Sequence, residues 1–496
     1  MITETLKVIL WDKEIGRLSW DNKRNISYFE YSPDFLSGNL DVFPLIASIK
    51  LRTSNRPFPG DKDNNLYHRL PPFIADSLPD SWGNRVFELW RIQQGIKNPG
   101  ITPLDILAFI GKRGMGALEY MPEASGIKKS EIINLQSLTE LAQRIFTERE
   151  NIKIESDESL TMKSLIAVGT SAGGRQPKAI IAINSSTGEI RSGQIAGLNG
   201  FEYYVLKFGD AERNTAELEM AYYEMAKLAG INMTECKLID VDGKKHFITK
   251  RFDRNNSGKL HMQTLAALYP EADSYEKLMT VCRKLHLPET TMEEVFRRMV
   301  FNILANNTDD HNKNFSFLMD KTGKWSLSPA YDMTYIFNSG GFLPETAHCL
   351  MMRGKLSGHT KEDVINFALE NGIKKVETII QQVADAIRKF ASLAHKIGMQ
   401  QKWINAIEST LFSHLEEWGL ADKQTLATMN INGEIFENIH IEQAYKGNFH
   451  LYSTINGKER KFVITKNKPE YAEIQKVGIN NLSQDYIRTL LQKYLL

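Results

Sequence analysis

Between residues 306 and 332 the sequence spaces a carboxylate, an amide and a second carboxylate as phosphoryl transfer would need them. Asp309 and, five residues on, Asn314 share the polar run Asn306-Asn307-Thr308-Asp309-Asp310-His311-Asn312-Lys313-Asn314, and Asp332 follows after a strand–turn–strand pattern. Moving a phosphoryl group needs positioning, metal ions across the phosphates, and a group to accept the hydroxyl proton. Asp309 can take that proton, and the Asn314 amide oxygen can sit on a metal. Asp332 can hold magnesium, a hard ion that takes oxygen ligands. Singly, Asp and Asn in loops are mostly turn formers. The order carries the signal: helix, Asp-x4-Asn loop, hairpin, Asp. Asp309, Asp310 and His311 could instead serve a hydrolytic metal site, though no second His or carboxylate cluster with a matching motif accompanies them.

Several elements must position these groups. Met292, Val295, Phe296, Met299, Val300 and Ile303 recur at helical spacing, which leaves Arg297 and Arg298 on the other face and offers Thr290 or Thr291 as cap. After the loop, Phe315–Met319 reads as a strand, with a turn at Lys321-Thr322-Gly323 before Trp325-Ser326-Leu327. Upstream, residues 165–183 read LIAVGTSAGGRQPKAIIAI. The small residues Gly169, Gly173 and Gly174 suit either a close approach of backbone N–H groups to phosphates or an ordinary hairpin turn. Tyr203–Phe208 reads as a strand carrying Lys207, which could bind phosphate or snorkel to a sheet edge. A helix follows. Asn214 and Glu217 can form its capping box, Leu218, Ala221, Tyr222, Met225 and Leu228 its apolar stripe, and Gly230 its stop. Glu219, beside that stripe and without capping duty, can pair with Lys207 or lie solvated.

The remainder frames this unit. The chain has 496 residues and a net charge of +1, so no global field advertises a nucleic-acid or membrane partner. Cys236, Cys282 and Cys349 are far apart, which argues against a disulfide framework and a zinc site and fits a reducing cytoplasm. The N-terminus resembles neither a signal peptide nor a membrane span. Residues 1–50 alternate as strands at Lys7–Trp11 and Ile26–Tyr31 with a turn at Gly16. The pattern then gives helix-like stretches in residues 71–90 and in LDILAFIGKRGMGALEY, broken at Gly111. A polar linker over 125–164 carries a helix from Leu138 to Phe146. After residue 419 come strand-like runs with Asn432-Gly433 and Asn456-Gly457 turns, the second pairing Arg460–Thr465 across it, and a closing helix, Gln484 to Leu495. No helix-turn-helix pattern stands out in this appendage.

Five segments together resemble the HipA toxin-kinase family: Thr308–Ser316, Ser328-Pro329-Ala330-Tyr331-Asp332, Lys250-Arg251-Phe252-Asp253-Arg254, Ser171–Lys178 and Leu78-Pro79-Asp80-Ser81-Trp82-Gly83. The resemblance spans about residues 1 to 415. The Asp-x-His-x-x-Asn form is also similar to phosphoinositide kinases. This likeness implies an α+β, bilobal protein-kinase-like fold. It has an accessory N-terminal subdomain (1–124), a linker with a helix (125–164), a small β lobe with Gly-rich loop and hinge (165–256), a helical lobe (257–418) and an appendage (419–496). It implies an enzyme using ATP and magnesium. Asp309 would be the catalytic base, and Asn314 and Asp332 the metal ligands. Lys207, Glu219, His311, Ser171, Gly173, Gly174, Lys250 and Phe252 would lie about the nucleotide, with Lys250–Phe252 as the hinge beside adenine.

Such kinases act as toxins on a serine of a translation factor, notably an aminoacyl-tRNA synthetase. A small helix-turn-helix antitoxin on a separate chain restrains them, so DNA is met only through that antitoxin and no membrane is involved. They also phosphorylate themselves on a serine that here is Ser171, with Thr170 the neighbouring alternative. Two departures stand out. Thr308, not Arg, precedes Asp309, which removes the basic pocket used in activation-loop switching. Thr264 stands where relatives often carry an acid.

Overall fold

The computed structural model describes residues 3–51, 54–96, 100–126, 132–147, 159–169, 176–194, 197–255, 258–338 and 345–420, with the backbone of five further strands between Met429 and Gln475. Residues 1–414 form one compact unit and 415–496 a second. Among the described residues no helix is long and apolar enough to cross a membrane.

The chain opens with a hairpin, Thr5–Leu10 against Lys13–Asp21. Its turn is Trp11-Asp12, both at positive φ (49° and 64°), as a two-residue turn of primed type requires. Gly16, expected as the turn, lies inside the second strand. A Cβ there would collide with the Glu30 carbonyl and the Phe29 ring, so glycine serves packing. Ile26–Tyr31, Phe58–Pro59 and Leu118–Met121 complete an antiparallel sheet. The helix Pro103–Ile110 ends at Gly111, where the pattern broke. Leu135–Thr147 covers the linker helix, and a further helix, Ser159–Val168, precedes the Gly-rich segment. LIAV is therefore the end of a helix. Its carbonyls are met by Arg113, a buried guanidinium that donates to Ile166 O at 3.0 Å.

A second antiparallel sheet runs Ile190–Ser192, Lys178–Asn184, Phe201–Lys207, Lys244–Lys250, Cys236–Val241. The helix Thr215–Leu228 buries Ala216 and Tyr223 against Cys236 and Phe247 of this sheet. Its expected capping box does not form. Asn214 sits in the left-handed region (φ 50°) and its Oδ1 instead accepts from Gln400 N at 2.8 Å. Leu228, counted in the apolar stripe, is exposed.

The third sheet joins His261–Thr264, Ser316–Met319 and Trp325–Leu327. Its hairpin closes where Asp320 accepts from Thr322 N and Lys324 N, with Gly323 at φ 85°. The helix Glu289–Leu304 leads into the polar loop. Pro288 holds its N-cap position without a side-chain bond, so neither Thr290 nor Thr291 caps it. Arg298, expected on the polar face, is buried. It pairs with Glu294 at 2.8 Å and donates to Ser328 O at 2.9 Å, fixing the approach to Asp332. Helices Lys361–Glu370, Val376–Ile387, Phe390–Ile397 and Gln401–Glu417 follow.

The second unit is an antiparallel meander of five strands in sequence order. Asn448–Ile455 pairs with Lys458–Lys468, Ser453 opposite Arg460 and Asn448 opposite Thr465. Both Asn-Gly turns and the expected helix from Gln484 to Leu495 lie outside the described residues.

Candidate active site

One cleft gathers most of the residues singled out by type and spacing. Lys207 ends its strand with Nζ 2.5 Å from Glu219 Oε2 and in a shorter contact with Asp332 Oδ1. The helix Thr215–Leu228 presents Glu219 toward the strand, so Glu219 pairs with Lys207 rather than lying solvated. Burial alone would lower the Lys207 ammonium; the two carboxylates overrule it and raise it, so the group stays charged. Burial would likewise raise the Asp332 carboxyl, but Lys207 holds it down at about 2. Burial is the largest influence on Glu219 and pushes it upward against the pull of Lys207. Asp332 itself sits at φ 56°, a left-handed backbone that Asp tolerates better than most residues.

The catalytic-loop candidates stand beside this trio. Asn314 Nδ2 donates to Asp309 O at 2.7 Å and Asn314 N to His311 O at 2.8 Å, so the loop folds back on itself. His311 Nε2 lies 3.8 Å from Asp309 Oδ1. Asp309 is half exposed (side chain 51%), whereas Asp310 turns into the core. Asp310 therefore cannot join Asp309 and His311 in a hydrolytic metal site. Tyr331 shares its hydroxyl with Ser316 Oγ and donates to Lys313 O at 2.7 Å, bracing loop and hairpin.

At the hinge, Lys250 lines the cleft, and its ammonium is paired with Glu202. The Phe252 ring lies 5.5 Å from Tyr331 and also faces the cleft. Ser171, Gly173, Gly174 and Thr170 lie outside the described residues.

Spacing did not mark the cleft's other wall. Lys178 lies directly opposite Lys207 in the strand register. Two facing ammonium groups would repel, and Asp80 answers the first at 3.1 Å with both side chains buried. Asp80 also accepts from Gly83 N, capping the helix Ser81–Gln93, while Trp82 Nε1 donates to Lys178 O. Asp76, from the same N-terminal stretch, accepts from Thr264 N and Thr264 Oγ1, both at 2.7 Å. A carboxylate thus reaches the Thr264 position from elsewhere in the chain. The LPDSWG motif, noted only through resemblance, was the available signal. Behind the hinge, Arg251, Asp253 and Arg254 form a fully buried charge cluster that holds Gly114 O and Gly116 N of the N-terminal part.

These elements define an α+β protein-kinase-like fold. A solved structure of Shewanella oneidensis HipA, with HipB and its operator DNA, matches with TM-score 0.60 at 16% identity, over 83% of this chain and 97% of that one. The model of the HipA N-terminal domain matches residues 6–121 and that of the HipA-like C-terminal domain residues 170–391. The chain belongs to the HipA-type family. The serine/threonine-protein kinase toxin HipA of Shewanella oneidensis is 21% identical, over 67% of this chain and 76% of its own length. A putative kinase of Haemophilus influenzae is 25% identical over 54% and 88%.

Proposed function

We propose that this chain is an ATP- and magnesium-dependent serine/threonine protein kinase, the toxin of a toxin–antitoxin pair working in the cytoplasm. The observation that carries it is the buried Lys207, held by Glu219 and Asp332 in the cleft that Asn314 and His311 line. Lys207, charged throughout the physiological range, donates to the nucleotide phosphates. The backbone of Lys250–Phe252 flanks the base. Asn314 and Asp332 offer the hard oxygen donors that suit magnesium, which when bound neutralises charge on the phosphates. Asp309, open to solvent, takes the proton of an incoming hydroxyl as its oxygen accepts the γ-phosphoryl group and ADP departs. His311 stands beside Asp309 at the phosphate end.

The relative solved with HipB and operator DNA supports a separate antitoxin as partner; family resemblance makes it a small helix-turn-helix protein through which DNA is met. Family resemblance supports a translation-related acceptor, an aminoacyl-tRNA synthetase among them. It also supports self-phosphorylation on Ser171 or, next to it, Thr170. A phosphate there, about −1.5 to −2 in charge, would repel the ATP phosphates. Incubation with γ-labelled ATP and whole-cell lysate, with magnesium or a chelator, tests the proposal. Magnesium-dependent label on serine or threonine of a protein is expected. ATP binding without label on any protein would contradict it.

A further inference from the structure

Asp310 is a buried carboxylate to which the transfer chemistry gives no task. Its side chain has 0% exposure, and no Lys or Arg pairs with it among the described residues. Burying a carboxylate is costly unless donors surround it. Here they come from two directions. Tyr275 Oη donates at 2.5 Å from the start of the helix Tyr275–Lys284, and the same hydroxyl accepts from Asn302 Nδ2 at 3.0 Å. The segment after the cleft supplies the rest: His348 Nδ1 at 2.9 Å and Cys349 N at 2.8 Å, with Leu350 N further off at 3.4 Å.

The same segment is stitched on both flanks. Cys349 N also reaches Thr308 O at 3.2 Å, Met351 N donates to Asp273 O, and Tyr275 N donates to Met351 O. Cys349 is thereby held with Sγ 4.0 Å from Asp309 Oδ1, the two side chains exposed together at the open end of the site. The segment therefore borders the exposed side of Asp309.

We propose that Asp310 is a positioning residue that pins His348–Met352 beside Asp309 as a preformed seat for the acceptor chain. The proposal rests on Asp309 being the base. In kinases switched by loop phosphorylation, a phosphate anion gathers donors to order such a segment. Here an internal carboxylate, next to the base in sequence, gathers a phenol, an imidazole and backbone N–H groups. The seat is therefore ordered without modification, which fits a chain with Thr308 before Asp309.

Asp310→Asn, Asp310→Ala and Tyr275→Phe in the full chain test this, by hydrogen–deuterium exchange, ATP affinity and transfer of labelled phosphate to lysate protein. Expected for Asp310→Ala is loss of amide protection confined to residues 345–352, with faster alkylation of Cys349. Asp310→Asn retains the size and should show a smaller loss, Tyr275→Phe the smallest. ATP affinity should stay within about twofold and transfer fall about 10- to 100-fold, the cost of an ångström-scale misplacement. Unchanged protection at 345–352 in Asp310→Ala would overturn the pin. So would protection and ATP affinity lost together across residues 1–414, which would mark a merely structural role. Wild-type protein that labels nothing would instead strike the kinase proposal, and the exchange measurement would still judge the pin.

Discussion

The two ends of the cleft are built on different principles. At the Lys207 end, charges are desolvated and already paired: Lys207 and Glu219 are 11% and 7% exposed, and the Arg251–Asp253–Arg254 cluster behind the hinge is sealed. At the Asp309 end the candidate base and its neighbour His311 stand half open, and the Asp310 carboxylate beneath accepts from the backbone of Cys349. One ammonium between two carboxylates is net negative, so this wall would receive an anionic ligand only together with cations. An exposed carboxylate on a fixed base leaves room for a macromolecular partner to supply the missing wall.

If the sealed end is a charge-balanced unit, breaking it should cost more than any other change. Asp253→Ala leaves two buried guanidinium groups uncompensated and should lower stability by about 3–5 kcal/mol, read from denaturant unfolding. The same cluster sets an acid limit. Burial alone would raise the Asp253 carboxyl, but Arg251 and Arg254 hold it well below the usual carboxylate range. Its stabilisation is thus present above the unfolded value, about pH 4, and is lost as pH falls below it. Asp253→Asn should flatten that part of the stability–pH curve, and an unaltered acid limb would show that the cluster does not carry it.

Nucleotide binding comes next in size. Lys207→Ala removes a charged donor worth about 1.5–3 kcal/mol and should weaken ATP with and without magnesium. Asp332→Ala should weaken magnesium-dependent binding more than metal-free binding. Calorimetry in both conditions separates the two, and equal losses for Asp332→Ala would remove it from the metal site. Ser171→Asp should abolish most ATP binding while Ser171→Ala preserves it; normal binding by the Asp variant would sink self-inhibition through that loop. At the open end, Cys349→Ser should shift stability by no more than about 0.5 kcal/mol, as an exposed substitution does, and leave ATP affinity unchanged. A larger loss would mean that this end is packed more tightly than its exposure shows.

The sequence displayed what is local. Helix periodicity, the Asp-x4-Asn spacing and the hairpin before Asp332 each depend on neighbours within a few residues, and the elements formed where those patterns lay. What it concealed depends on distant partners. Arg298 read as surface because its carbonyl target, Ser328, lies 30 residues on. Asn214 was a plausible cap until Gln400, from the far end of the fold, claimed its amide oxygen. Asp76 and Asp80 carry no spacing relation to Thr264 and Lys178, so the N-terminal wall of the cleft was visible only as a motif without a role. Gly16 misled because a glycine that admits a ring looks, in sequence, like one that makes a turn. Asp310 was read only as a member of a rival metal site, because its burial under Tyr275 and His348 depends on distant partners.

If Asp309 acts on an acceptor hydroxyl at the open end, the sealed end should hold ATP independently of it. Asp309→Asn tests it in one sample, with ATP affinity by calorimetry and labelled-phosphate transfer to lysate protein measured side by side. ATP binding is expected within about twofold of wild type and transfer reduced by about 10²–10⁴. Transfer at the wild-type rate by the Asn variant would contradict it.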